Sequence, residues 1–181
     1  MPLYPEDINA EITPIEFELL VKEYLDNLGK ELKTFKTTHD INLIRNDGEY
    51  QIDVFAEFEY LGVDFKILVE CKRHKSSIKR EVVQLLYDKL RATGAHKGII
   101  FSTSGFQEGA HIFAKEHGIA LIRIIEGRYT YFTRSLDSQQ FNPPPWVDLP
   151  KFVGEFKHGN LITNLQKGYF KSLEEFLFDD K

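Results

Sequence analysis

An α/β fold with a central mixed β-sheet flanked by helices is predicted by three features of this sequence. Apolar residues alternate at Ile52, Val54, Ala56 and Phe58, and again at Ile67, Val69 and Cys71, the period-two pattern of two strands. The stretches 13–28 and 79–92 instead carry apolar residues at helical spacing. Across 98–124 the order strand, helix, strand implies a parallel crossover beside the antiparallel pair, which makes the sheet mixed.

The first helix is bounded by its own chemistry. Thr13 and Glu16 form a capping box, Pro14 occupies the first helical position, and Gly29 stops the helix. Ile15, Leu19, Leu20, Val21 and Leu25 are its expected packed stripe. A strand is expected over 32–38, then a loop through His39-Asp40 to Asn46-Asp47-Gly48, where Asp-Gly signals a turn. A histidine beside a turn is usually structural, although His39 is also able to contact DNA or assist a proton transfer. The next two strands form a hairpin with Leu61-Gly62 at its centre, which sets Asp53 across from Glu70, Ile52 across from Cys71 and Val54 across from Val69. Slipping the register by one residue would place Glu70 opposite Ile52 and spoil the apolar face. Val82, Val83, Leu85, Leu86 and Leu90 mark the second helix, which also carries Gln84. A buried strand over 98–102, a helix over 107–116 and a strand over 119–124 follow. Ser102, Thr103 and Ser104 stand at the entrance of that helix, where they suit either helix capping or a bound phosphate.

Beyond Gly127 lies an aromatic-rich C-terminal extension. Residues 128–134 alternate like a strand, Phe141-Asn142-Pro143-Pro144-Pro145-Trp146 breaks regular structure, and 161–178 suggest one or two short helices. Eleven aromatic residues follow Gly127, too many for a floppy tail, so this part is expected to pack on the core or to form an interface. The domain division is therefore 1–127 and 128–181.

With 181 residues the chain buries one substantial core, and 42% hydrophobic and 13% aromatic content argue against disorder. No apolar run approaches the length of a membrane span, and Met1-Pro2-Leu3-Tyr4-Pro5 lacks the basic start and apolar stretch of a signal peptide. A soluble, cytoplasmic protein with no membrane partner is the expectation. Its single cysteine, Cys71, rules out an internal disulfide and a zinc site of several thiolates, and the alternation places it inward. A net charge of −5 argues against nucleic-acid binding if taken as a sum. However, Lys72, Arg73, His74, Lys75, Lys79 and Arg80 fall within nine residues and make a local basic rim to which a phosphodiester backbone could dock.

That rim directly follows the most informative residues. Asp53, Glu70 and Lys72 share one side of their strands, with the two carboxylates roughly 5 Å apart at Cβ. Like charges opposed on a sheet are destabilising, and a divalent cation supplies a reason to keep them. Mg2+ takes one or two carboxylates plus water and substrate phosphate, which is what Asp53 and Glu70 offer. Lys72 is placed to orient or deprotonate an attacking water, or to offset charge in the transition state. A solvated strand face bearing Glu and Lys two residues apart gives the same short pattern, so the flanking motifs decide.

Those flanks run in order: Thr13-Pro14-Ile15-Glu16-Phe17-Glu18, Asp47-Gly48, Gln51-Ile52-Asp53-Val54, Val69-Glu70-Cys71-Lys72, Val83-Gln84, Gly98-Ile99-Ile100-Phe101-Ser102-Thr103-Ser104-Gly105-Phe106 and Gly118-Ile119-Ala120-Leu121-Ile122. Over roughly 11–125 the chain resembles the Mrr-like restriction endonuclease catalytic domain, a branch of the PD-(D/E)xK nuclease superfamily. Many Mrr-like members carry Gln where this chain has Glu70, so at that position it follows the wider superfamily.

The resemblance implies a restriction-endonuclease-like core and a Mg2+-dependent DNA endonuclease, with Mn2+ able to substitute. It implies cleavage to a 5'-phosphate and a 3'-hydroxyl, in restriction or defence. Asp53, Glu70 and the main-chain carbonyl of Cys71 become the metal ligands, and Lys72 positions the water. It further implies that Glu18 reaches toward the metal and that Gln84 contacts the water, the phosphate or Lys72. Arg73, His74, Lys75, Lys79 and Arg80 are the expected DNA contacts. DNA is the expected partner, with a homodimer as the simplest way to cut both strands and a targeting protein as a further possible partner. A non-cleaving nucleic-acid- or partner-binding module and a repair or junction-resolving nuclease are the alternatives.

Overall fold

The computed structural model describes residues 12–32, 34–126, 151–158, 161–165 and 171–178. Helix α1 (Pro14–Leu28) starts as its sequence dictates. Thr13 Oγ1 accepts the Glu16 N–H, and the Glu16 carboxylate accepts the Thr13 N–H at 2.7 Å. A short 3-10 turn (Gly29–Glu31) leads into β1 (Lys36–Arg45), β2 (Gly48–Tyr60) and β3 (Val63–Lys72). Then α2 (Arg80–Thr93), β4 (Lys97–Ser102), α3 (Glu108–Glu116) and β5 (Ile119–Glu126) alternate, and β6 (Phe152–His158), β7 (Leu161–Leu165) and α4 (Lys171–Phe178) complete the described chain.

The seven strands lie side by side in chain order, with β3, β4 and β5 parallel and every other neighbouring pair antiparallel. The mixed sheet is thus as expected, and both of its faces are covered. One face packs Val54, Ala56, Val69, Ile99, Phe101 and Ile122 against Phe17, Val21 and Leu25 of α1 and Leu173 and Leu177 of α4. The other packs Phe55, Leu68, Ile100 and Leu121 against Val83, Leu86 and Leu90 of α2 and Ala110 and Ala114 of α3. Helix α2 sits close on β4 because Gly98 has no side chain: a Cβ there would lie 2.9 Å from Leu90 Cδ1.

Several expectations need correction. Strand β1 begins four residues later than 32 and runs through His39 and Asp40, which are not in a loop. The side of β3 bearing Glu70 is not a solvated face, since α2 covers it and Glu70 is 6% exposed. Ile52 packs with Leu68 and Phe55, not with Val54 and Ala56. The strand order is disturbed there: Asp40 has φ +50°, and the β1–β2 pairing skips from His39↔Val54 to Ile41↔Ile52. On α1 the inward stripe is Phe17, Val21 and Leu25, while Ile15 and Leu19 face outward. Residues 161–165 form a strand and not a helix; it pairs with β6, and among the described residues of 161–178 the helix is 171–178. The strand expected over 128–134 and the proline-rich crossing at 141–146 lie outside the described residues.

The β2–β3 hairpin closes through Leu61 (φ +53°) and Gly62 (φ +81°), two left-handed residues between the paired Tyr60 and Val63. Leucine in that conformation costs about 1–2 kcal/mol, and Leu61, 88% exposed, recovers little by packing. Leu61→Asn, which tolerates the left-handed region, is expected to stabilise the fold by about 0.5–1 kcal/mol. A urea melt of the two proteins reads this directly, and an unchanged or lower midpoint would contradict it.

Candidate active site

The hairpin register that the sequence predicts is observed from Tyr60↔Val63 to Val54↔Val69. The ladder stops short of the expected Asp53–Glu70 and Ile52–Cys71 pairs, and Ile52 and Cys71 lie in cores on opposite faces of the sheet. At the end of that ladder a side chain takes over from the backbone: Asp53 Oδ2 accepts the Cys71 N–H at 2.7 Å. On its other edge β3 continues pairing with β4 through Glu70↔Ile100, Cys71↔Phe101 and Lys72↔Ser102, which fixes all three residues of the Glu-Cys-Lys triplet. Lys72 Nζ donates to Glu70 Oε2 at 2.7 Å and lies 3.7 Å from Asp53 Oδ2, so a single ammonium bridges both carboxylates. Cys71 points into the α1 face and is buried, as its alternation implies.

Burial pushes the Asp53 carboxyl above its ordinary range, and the Glu70 charge pushes in the same direction. The Cys71 N–H and Lys72 oppose this without reversing it, and Glu18 adds a smaller upward push. Burial acts to lower Lys72, but the charge and hydrogen bond of Glu70 outweigh it, so the ammonium is held more firmly than in water. The site therefore holds crowded carboxylates that are partly neutralised by a firmly protonated lysine.

Two residues join the cluster from other elements. Lys89 of α2 reaches Glu70 Oε1 and also donates to the Gln51 carbonyl at 2.7 Å. The sequence reading missed it, although a signal was present. Val82, Leu86, Lys89 and Thr93 fall along one side of α2, and a lysine on that stripe is out of pattern. Glu18 of α1 acts on Asp53 through its charge, but its contact is with His39 Nε2 at 2.7 Å, and His39 stands opposite Val54 beside Asp53.

Other expected residues are not gathered in. Gln84 is half-buried on α2 and, among the described residues, makes no hydrogen bond to Asp53, Glu70 or Lys72. Of the basic rim, His74, Lys75, Lys79 and Arg80 are exposed, but Arg73 Nε donates to the Ile12 carbonyl at 2.5 Å and the Arg80 guanidinium lies over the Phe113 ring. Ser102, Thr103 and Ser104 neither cap α3, whose N-cap is Gln107, nor face an open phosphate site. Their hydroxyls tie down the loop after β3. Thr103 Oγ1 accepts the His74 N–H and donates to the His74 carbonyl, while Ser104 Oγ donates to the Ser76 carbonyl.

Among the described residues, no three His, Cys, Asp or Glu side chains stand close enough to hold an ion by themselves. The donors that the structure brings together are the Asp53 and Glu70 carboxylates, both hard oxygens. They fit a cation that keeps waters and takes substrate phosphate as its remaining ligands.

A solved protein of unknown function, AF1548, is 24% identical, superposes with a TM-score of 0.51, and shares 60% of this chain and 57% of its own, which supports the fold. The DNA modification-dependent restriction endonuclease AspBHI is a looser likeness, at 15% identity and a TM-score of 0.45 over 60% of this chain and 28% of its own. The type IV methyl-directed restriction enzyme EcoKMrr of Escherichia coli (strain K12) is 28% identical over 113 residues, which are 62% of this chain and 36% of that enzyme. This chain thus spans little more than a third of the enzyme's length. The Mrr_cat family, described as restriction endonuclease, matches residues 9–126, a span running from α1 to the end of β5 and containing Asp53, Glu70 and Lys72. The chain belongs to the Mrr_cat restriction endonuclease family.

Proposed function

We propose that this chain is a divalent-metal-dependent endonuclease that hydrolyses phosphodiester bonds of DNA in restriction or defence, with Mg2+ as its natural ion and Mn2+ as a substitute. The observation that carries the reading is Lys72 Nζ, 2.7 Å from Glu70 and 3.7 Å from Asp53 where the β2–β3 ladder ends. Family membership supports it.

Asp53, Glu70 and the carbonyl of Cys71 would hold the cation. When bound, such an ion acidifies water and draws charge from a phosphate oxygen. Lys72, its ammonium held by Glu70, acts as a donor that orients the attacking water and stabilises charge growing on the phosphoryl group. Glu18, held by His39, adds negative charge on the α1 side of Asp53. Gln84 is assigned a role only once DNA is bound, through the water or the phosphate. Arg73, His74, Lys75, Lys79 and Arg80 supply the phosphate-contacting rim, and all of them but Arg73 are exposed.

The E. coli relative is named as methyl-directed, which motivates modified DNA as the preferred substrate. Methylated and unmethylated supercoiled plasmid incubated with Mg2+, Mn2+ or EDTA tests both parts. Metal-dependent nicking or linearisation supports the nuclease, and faster loss of the methylated form supports the preference. No cleavage in any lane, with retained DNA binding, would point instead to a binding module or to a nuclease awaiting a targeting partner. One site per chain favours a homodimer for double-strand cuts, and a monomer mass on DNA would count against it.

A further inference from the structure

Where the β2–β3 ladder stops at Val54↔Val69, Lys89 bridges the two strands from helix α2, one contact on the Gln51 carbonyl and one on Glu70 Oε1. Glu70 therefore has an ammonium on each oxygen, Lys72 on one and Lys89 on the other. Asp53 and Glu70 carry two negative charges, and Lys72 and Lys89 two positive ones. The group of four is neutral in formal charge, so it offers an approaching dication far less attraction than two unpaired carboxylates would.

On the basis of the metal-dependent reading above, we propose that Lys89 is the resident counter-cation of Glu70 and keeps DNA-free metal binding weak. Two effects of losing Lys89 oppose each other. Glu70 becomes freer to move, which weakens a metal site by at most the rotamer entropy of one glutamate, roughly ten- to thirtyfold, and by less here because Lys72 still holds its other oxygen. A unit positive charge one carboxylate away from the ion also disappears, and charge–charge energies at that separation in a partly buried site are several times larger. Electrostatics wins, so removing the charge tightens the site. Lys89 differs in this from Lys72, which stands between both carboxylates and belongs to the chemistry. It acts through Glu70, as a positioning and charge-setting residue.

The test is Mn2+ binding to the full chain without DNA, read from the electron paramagnetic resonance of the free ion. Lys89→Gln keeps an N–H donor and removes the charge, while Lys89→Arg keeps the charge. Circular dichroism confirms that each variant is folded. Lys89→Gln is expected to bind Mn2+ at least tenfold tighter than the parent and Lys89→Arg within about twofold of it. Unchanged or weaker binding by Lys89→Gln, or equal tightening by Lys89→Arg, overturns the proposal. If the parent cuts plasmid with metal while Lys89→Gln binds no tighter, only this inference fails. Should neither the parent nor any variant bind Mn2+, with or without a short DNA duplex, the metal-dependent reading fails with it.

Discussion

Lys72→Ala is expected to lower plasmid cleavage by about 10^2–10^3-fold or more at saturating Mg2+, because it removes the donor that faces charge developing on the phosphoryl group. The contacts predict a second, independent signature. In the parent, Lys72 is the ammonium shared by Asp53 and Glu70, and Glu70 is 6% exposed. Without it the two carboxylates repel across a short gap, and among the described residues only Lys89 still neutralises Glu70. The variant should melt earlier than the parent in EDTA and regain part of the loss when Mg2+ is added, since a dication can offset the same repulsion. Time courses of supercoiled plasmid and thermal melts with and without metal measure both effects. Activity within a few-fold of the parent would remove Lys72 from the chemistry and with it the mechanism proposed above.

Asp53→Asn should produce a protein that is both inactive and more stable. Burial, reinforced by Glu70, raises the Asp53 carboxyl above its ordinary range. A carboxyl raised in this way contributes stability at pH values below its unfolded-state pKa, and that contribution is lost as pH rises through the folded-state value. At pH 7 the ionised Asp53 therefore works against folding. Asparagine has nearly the same shape and keeps an oxygen for the Cys71 N–H, but it carries no charge to desolvate or to oppose Glu70. In EDTA at pH 7 the variant's melting temperature should exceed the parent's by a few degrees, with the difference fading as pH falls into the carboxylate range. Mg2+ should raise the parent's melting temperature but not the variant's, and cleavage should drop to background. A variant less stable than the parent at pH 7 would show that the Lys72 and Cys71 contacts outweigh the burial of charge.

Both predictions describe a site that costs the fold stability and keeps a function in return, and its arrangement explains what could be read in advance. The hairpin register was legible because Val54, Ala56, Ile67 and Val69 all had to reach one buried face, which only one pairing allows. Helix α1 was legible at its start because Thr13, Pro14 and Glu16 act locally. Its packed stripe was partly misassigned, since Ile15 and Leu19 are as apolar as Val21 and only contact with the sheet separates them. Residues 161–165 read as helix because nothing nearby marks a strand; pairing with β6 settles their conformation, and that is a non-local interaction.

The site divides in the same way. Sequence by itself placed Asp53 on one strand of a hairpin and Glu70 and Lys72 on the other, because the period of a strand and the centre of one turn suffice for that. The contacts among them lie beyond the last ladder pair, Val54↔Val69, and were decided by the structure. Sequence also determined the order of elements that family membership reflects. Only the tertiary structure decided that α2 buries Glu70, that Lys89 comes from that helix to hold its second oxygen, and that His39 pairs with Glu18. It likewise decided that the hydroxyls of Thr103 and Ser104 serve the loop after β3. Each of these contacts joins residues far apart in the chain, and charge and hydrogen bonding act over a few ångströms of space whatever the distance along the sequence.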